Sequence, residues 1–261
     1  MEKFSIQNRY GLKIVGLLSI PENPIGLVFV QHGLGGFKEQ EHLVLVAKVF
    51  LENQYIVVNF DATNSIGESE GSYEDITMEK HYEDLLDVVT WAKTQAWYKE
   101  PFILAGHSLG GYTTARYAEE YPEEIKAVFP WACVVSGALN FEATKKFEPE
   151  KLKLWEETGW TTRISNSKPG IDLRLPWSHM QERLLHDLQP KAKNLTMPIL
   201  LVVGEKDAPC TQKKKKILYD LIPNDTDKEF HIIKDAPHTF RDPEHLEQLR
   251  VILDAWIKKL K

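Results

Sequence analysis

Ser108 stands in Gly106-His107-Ser108-Leu109-Gly110-Gly111, directly after the small and apolar run Phe102-Ile103-Leu104-Ala105. A hydroxyl between glycines at the end of a buried strand has two readings. It is a turn serine, or it is a nucleophile held out on a sharp strand-to-helix corner. The pattern G-x-S-x-G arises by chance in roughly one chain of this length in ten, so the rest of the chain must decide. A serine nucleophile needs a base, and the base needs a group that orients it. Two later loops supply these types. Gly204-Glu205-Lys206-Asp207 follows the run Ile199 to Val203, and Asp235-Ala236-Pro237-His238-Thr239-Phe240 follows Phe230 to Lys234. Serine, acid, histidine is the chain order expected for a serine on such a corner.

A fourth piece lies upstream, where Leu27 to Val30 runs into Gln31-His32-Gly33-Leu34-Gly35-Gly36. Glycines there let the backbone come close to a bound oxyanion. One N–H of such a hole comes from this loop and the other from the residue after the serine, which makes Leu34 and Leu109 the candidates. Leu109 also begins a helical pattern, whose N-terminal dipole favours negative charge.

The elements that must position these loops read as an alternation of short apolar runs and helical patterns. That alternation indicates a mostly parallel sheet covered by helices on both faces. Phe4 to Gln7 and Lys13 to Ser19, joined by Asn8-Arg9-Tyr10-Gly11, predict a hairpin. Further strands are predicted at Gly26 to Gln31, Tyr55 to Phe60, Phe102 to Ala105, Ala127 to Val135, Pro198 to Val203 and Glu229 to Lys234. Apolar residues at helical spacing predict helices over Leu43 to Asn53, Thr77 to Thr94, Leu109 to Tyr121 and Gln212 to Leu221. A last helix runs from Pro243 to Leu260 with Asp242 as its cap. One connection breaks the rhythm: about sixty residues separate Gly137 from Met197, far beyond an ordinary strand–helix connection. This stretch carries Trp155, Trp160 and Trp177 and an amphipathic piece at Met180 to Leu188, and reads as a lid or cap.

Together the segments "HGLGG", "GHSLGG", "GEKD" and "APHTF" resemble those of an α/β-hydrolase from about residue 25 to the C-terminus. The resemblance implies the α/β-hydrolase fold, with a helical cap inserted after strand six over residues 137 to 197 of a single domain. It implies Ser108 as nucleophile, His238 as base, Asp207 as the orienting acid, and Leu34 and Leu109 as oxyanion donors. The cap is similar to that of the cinnamoyl and feruloyl esterases and the monoacylglycerol-lipase-like carboxylesterases. Where the family commonly shows D-x-R-G-x-G-x-S, this chain reads Asp61-Ala62-Thr63-Asn64-Ser65-Ile66-Gly67-Glu68-Ser69, without the arginine and one residue longer. The activity implied is serine hydrolysis of carboxylic esters, short-chain or hydroxycinnamoyl-type, through an acyl-enzyme. Peptidase, thioesterase, acyltransferase and lactonase chemistry share the same groups and stay open, as does a non-catalytic ligand receptor on this scaffold.

Rival residues carry less. His32 and His107 flank the two glycine loops and are expected to brace them. His231 is expected to pack inside its strand, while His42, His81, His186 and His245 fall on helical patterns and are expected at the surface; His179, in the cap, has no assigned role. Asp235 is only three residues from His238 on one loop, a difficult separation for orienting it. The cap tryptophans Trp155, Trp160 and Trp177 are candidates for the substrate wall, and a flat aromatic or short acyl group would suit them. Lys213 to Lys216 reads as the solvated first turns of a helix. The motif loops carry no cationic cluster for the phosphates of a coenzyme A thioester.

With 38 acidic against 32 basic residues, the net charge of −6 offers no general attraction to nucleic acid. Two cysteines, Cys133 and Cys210, exclude a disulfide framework, and Cys133 in its apolar run is expected to be a buried inert thiol. There is no H-E-x-x-H, no zinc-spaced cysteine pair, no G-x-G-x-x-G after the first strand and no phosphate-binding lysine loop. No metal, cofactor or membrane is implied, and the expected partner is a small ester. The N-terminus lacks an apolar signal region, so a soluble, cytoplasmic monomer or homodimer is expected.

Overall fold

The computed structural model describes residues 1–260. Eight strands form one sheet in the order β1(Glu2–Gln7), β2(Lys13–Ser19), β4(Tyr55–Asp61), β3(Gly26–Gln31), β5(Phe102–His107), β6(Ile125–Trp131), β9(Ile199–Gly204) and β10(Lys228–Ile233). β1 pairs antiparallel to β2, and β2 antiparallel to β4. Every later pairing in this sheet is parallel. β3 and β5, at the centre, are buried on both faces, so Val28 and Val30 point to one helical layer and Leu27 and Phe29 to the other. Unbroken apolar runs are what such a strand requires.

α1(Glu41–Glu52) and α8(Pro243–Lys259) cover one face with Leu43, Val46, Phe50, Leu249, Leu253 and Trp256. α2(Met78–Ala92) and α3(Leu109–Glu120) cover the other, joined by α7(Gln212–Leu221) through Leu218. The helix starts follow local chemistry. Thr77 Oγ1 accepts from the Lys80 N–H, and Asp242 accepts from the Glu244 N–H with Pro243 in the first turn.

Four expectations about the chain are corrected here. Strand six ends at Trp131 rather than Val135, because Ala132 turns at φ 45° and its N–H donates to Val202 O across the sheet. The stretch 137–197 is not purely helical. It holds α4(Gly137–Phe147), α5(Pro149–Thr158) and α6(Trp177–Arg183), with an antiparallel pair between them, β7(Trp160–Ile164) and β8(Asp172–Pro176). The amphipathic piece stops as helix at Arg183, after which the chain turns back to the body. The lysine run is only half solvated. Four successive residues sweep a full helical turn, so two must face inward. Lys214 Nζ donates to Asn140 Oδ1 (2.8 Å) and Pro209 O (2.9 Å), and the fully buried Lys215 Nζ to Cys133 Sγ (3.2 Å).

One buried acid near the outer end of α3 has a consequence for stability. Glu119 is 3% exposed and its Oε1 has no partner. Burial, with Glu120 and Asp187 nearby, pushes its carboxyl from 4.5 up to about 9 against the pull of Lys191. The folded state therefore holds this proton more tightly than the unfolded chain, and stability falls as pH rises from about 4.5 to about 9. Glu119→Gln keeps the shape and removes the titration. Its melting temperature should match wild type near pH 4.5 and exceed it by a few degrees at pH 9, as read by scanning calorimetry. A gap that does not change with pH would contradict this.

Candidate active site

The site lies at the carboxyl ends of β3, β5, β9 and β10, where the sequence placed its four loops. β5 runs through His107 into α3 with Ser108 at the corner, at φ 54° and ψ −110°. A non-glycine residue rarely adopts such angles, and here the surroundings impose them. Ser108 N–H donates to Trp131 O, and Ser108 O accepts from Val134 N–H. The flanking glycine is required by contact: a Cβ on Gly106 would lie 2.1 Å from Gly110 O.

His238 follows β10 and faces two partners. Its Nδ1–H donates to Asp207 Oδ1 (3.0 Å) and Oδ2 (2.9 Å), which fixes the tautomer, since a carboxylate only accepts. Its Nε2 is left to accept from Ser108 Oγ at 2.9 Å. Asp207, in the turn after β9, is fully buried in its side chain and also accepts the Cys210 N–H at 2.7 Å. Burial pushes its pKa up, yet the hydrogen bond and charge of His238 and the Cys210 N–H outweigh that and hold it below the ordinary value. Asp235 is elsewhere. It sits at φ 58° and pairs with Lys206 Nζ (2.6 Å) in solvent.

The glycine loop after β3 passes against the corner. A Cβ on Gly33 would lie 2.9 Å from Ser108 Cβ and 3.0 Å from His107 O, so only glycine lets Leu34 reach this position. Leu34 and Leu109 border the same cavity as Ser108, and neither of their N–H groups donates to an acceptor among the described residues. Such an arrangement can move a proton from Ser108 to His238 and hold an anion at two N–H groups.

Buried histidines brace these loops. His32 Nδ1–H donates to Gly33 O (2.8 Å), and its Nε2 accepts the Ala62 N–H (2.9 Å). His107 Nε2–H donates to His238 O at 3.0 Å, as expected of a bracing residue. Burial, and the nearby charge of His238, bring the His107 pKa down to about 3. His81, His42 and His186 are buried rather than exposed. His81 Nε2–H donates to His32 O at 2.9 Å, and burial lowers its pKa to about 3. His42 packs edge-on against His107 with ring centroids 4.5 Å apart, and His186 contacts Tyr112 Oη and Glu182. A neutral imidazole is apolar enough for the inner stripe of a helix, which the pattern alone does not reveal. His231 is less packed than expected; its ring is 38% exposed on the edge strand β10 and contacts Glu229.

A cavity of about 740 Å³ opens from Ser108 between the sheet and residues 144 to 183. Of the three tryptophans, Trp155 borders it. Trp177 instead packs edge-on against Trp155, and Trp160 lies under the Arg174 guanidinium at 3.8 Å. The sequence reading missed the cations: Arg163, Arg183 and Arg241 all line the cavity. Two come from the insert and one follows His238 by three residues, so spacing within the motif loops gave no signal. Asp207, Cys210 and His238 also converge closely enough to suggest a metal site. The donor set fits poorly, because burial pushes the Cys210 thiol up to about 12 and the Asp207 oxygens are already bonded. Among the described residues no helix is long and apolar enough to cross a membrane.

The prolyl oligopeptidase family matches residues 42–261. A 31.7 kDa protein of the Escherichia coli traX-finO intergenic region is 25% identical over 92% of this chain and 93% of its own length. The mouse mitochondrial palmitoyl-protein thioesterase ABHD10 is 24% identical over 95% of this chain and 77% of its own. Among solved structures, ferulic acid-bound Est1E from Butyrivibrio proteoclasticus superposes with a TM-score of 0.81, at 21% identity over 98% of each chain.

The geometry separates the two acids by experiment. If Ser108 is the nucleophile of a hydrolase, Asp207→Asn should lower its kcat by about 10⁴-fold, because the amide favours the wrong imidazole tautomer. Asp235→Asn should change it less than about threefold. Steady-state kinetics of the two purified variants decide; the reverse ranking would move the orienting role to Asp235.

Proposed function

The chain belongs to the prolyl oligopeptidase family of α/β-hydrolases, and from that premise we propose that it is a serine hydrolase of carboxylic esters. The observation that carries the reading is the 2.9 Å approach of Ser108 Oγ to His238 Nε2, with His238 held from behind by Asp207. In the proposed reaction His238 takes the Ser108 proton as Oγ attacks the acyl carbon. The Leu34 and Leu109 N–H groups receive the oxyanion, a contribution of about 3–4 kcal/mol per donor in comparable sites. His238⁺ then protonates the leaving alcohol, and water repeats the sequence on the acyl-enzyme. Asp207 stabilises the imidazolium without taking its proton.

Residues 137 to 197 act in this reading as a cap. Trp155, Leu173, Leu175 and Met180 form an apolar wall over the cavity, whose volume suits a small molecule rather than a polypeptide. That roof favours ester over peptide substrates, short-chain or hydroxycinnamoyl-type, with Trp155 as the aromatic contact. A thioester is the second reading, favoured by the name of the mouse relative; it uses the same groups and differs only in the leaving atom.

Ser108→Ala should lower turnover of p-nitrophenyl butyrate by about 10⁴- to 10⁶-fold while leaving the melting temperature close to wild type. Retention of a tenth of the activity would end the assignment. In a panel with methyl ferulate, p-nitrophenyl esters of increasing chain length and palmitoyl-coenzyme A, rates should drop steeply beyond about ten acyl carbons. Faster turnover of the palmitoyl thioester than of every ester would replace the ester reading by the thioester one.

A further inference from the structure

Three residues that border the cavity from the insert, Trp155, His179 and Arg183, each carry a buried polar atom without a partner. His179, Met180 and Arg183 of α6 all border the cavity, with His179 and Arg183 one helical turn apart. Arg183 Nε and Trp155 Nε1 are buried without an acceptor. His179 donates from Nδ1 to Ile76 O at 2.9 Å, which leaves its buried Nε2 an unused acceptor. The acid nearest in sequence is already committed. Glu182 accepts the backbone N–H groups of Met78 (3.1 Å) and Glu79 (3.0 Å), and its Oε1 meets His186 Nε2. Arg183 is half-buried and has no carboxylate partner, and desolvation lowers its pKa against the opposing pull of Cys210, Tyr73 and Glu182.

Two more guanidinium groups border the cavity, along with Lys151 and the acids Glu148 and Asp242. Arg163 reaches only Leu34 O, and Arg241 only Asn166 O and Ser167 Oγ. Of the bordering acids, Glu148 is bonded to Lys151 and Asp242 caps α8. Three guanidinium groups unpaired with acids, in a chain of net charge −6, favour an anion in this cavity. We propose that Arg183 binds a free carboxylate on the substrate, so that the substrate class is a monoanionic ester. This inference rests on the ester reading of Ser108. The planar guanidinium fork matches a carboxylate, and the buried apolar residues Val134, Leu175 and Met180 line the same cavity, which lowers its polarity. The carboxylate belongs either to the acyl part or to the alcohol part of the ester.

The test needs no turnover. Binding to the Ser108→Ala protein is measured by calorimetry for monobenzyl glutarate, with its acid on the acyl part, and O-benzoyl glycolate, with its acid on the alcohol part. Neutral benzyl butyrate is the reference. One of the two anions should bind at least about tenfold tighter than the reference, and the tighter one identifies which part carries the charge. Adding Arg183→Met should reduce that preference by about 10- to 100-fold, the worth of one charge-assisted hydrogen bond, and Arg183→Lys should restore part of it. Removing an uncompensated guanidinium should not lower the melting temperature, so Arg183→Met is expected to fold; Arg183→Lys gives the same comparison if it does not. A reference ester that binds as tightly as both anions, or a preference that survives Arg183→Met, overturns the inference. Wild-type turnover of p-nitrophenyl butyrate, lost in Ser108→Ala, tests the ester reading separately.

Discussion

The backbone of Ser108 is the constraint around which the central part of this protein is arranged. Its φ of 54° and ψ of −110° cost on the order of 1–3 kcal/mol, and they persist because neighbouring strands and helices over-determine them. Trp131 at the end of β6 and Val134 beyond it bond the two sides of the residue. The early departure of β6 from the sheet, at Ala132, is what brings Val134 into that position. Gly110 lets α3 approach β3 so closely that a Cβ would meet Gln31 O and His32 O at 2.4 Å. Loosening any of these contacts would let the corner relax into ordinary turn geometry, and the hydroxyl would leave His238.

The candidate site was legible because each of its pieces lies at a strand end beside glycine or proline, where type and position are both informative. Gly33, Gly106 and Asp207 belong to that class. What sequence did not reveal is the direction in which a side chain faces. His42, His81, Lys214 and Lys215 occupy helical patterns whose polar members ordinarily face water, and each is buried by partners distant in the chain. The strands β7 and β8 were hidden for a related reason. Thr161, Thr162 and Arg163 lack an apolar alternation, and only Leu173 and Leu175 of the partner strand face the core of the insert.

The missing arginine after Asp61 illustrates the same limit. Asp61 is fully buried and its carboxylate is paired with Lys38, from the loop before α1, at 2.8 Å. Asp61 also accepts the Lys38 and Glu68 N–H groups, which ties the glycine loop to the end of β4. The pair also holds the Lys38 pKa above its ordinary value, despite the burial that opposes it. This pairing joins residues 23 apart in the chain, and only three-dimensional structure identifies it.

The neck of the insert has an evolutionary consequence. Gly137 N–H donates to His186 O and Leu188 N–H to Val135 O, so the chain leaves and re-enters the body through one short bridged gate. Beneath it β6 and β9 are already neighbours in the sheet. The entropy of closing a loop grows only with the logarithm of its length, about 0.6 kcal/mol per doubling. Segments of quite different size and sequence are therefore tolerated between the same two strands at nearly constant thermodynamic cost. What covers the cavity, Arg163 and Arg183 included, can thus change with little effect on the strand-end loops below.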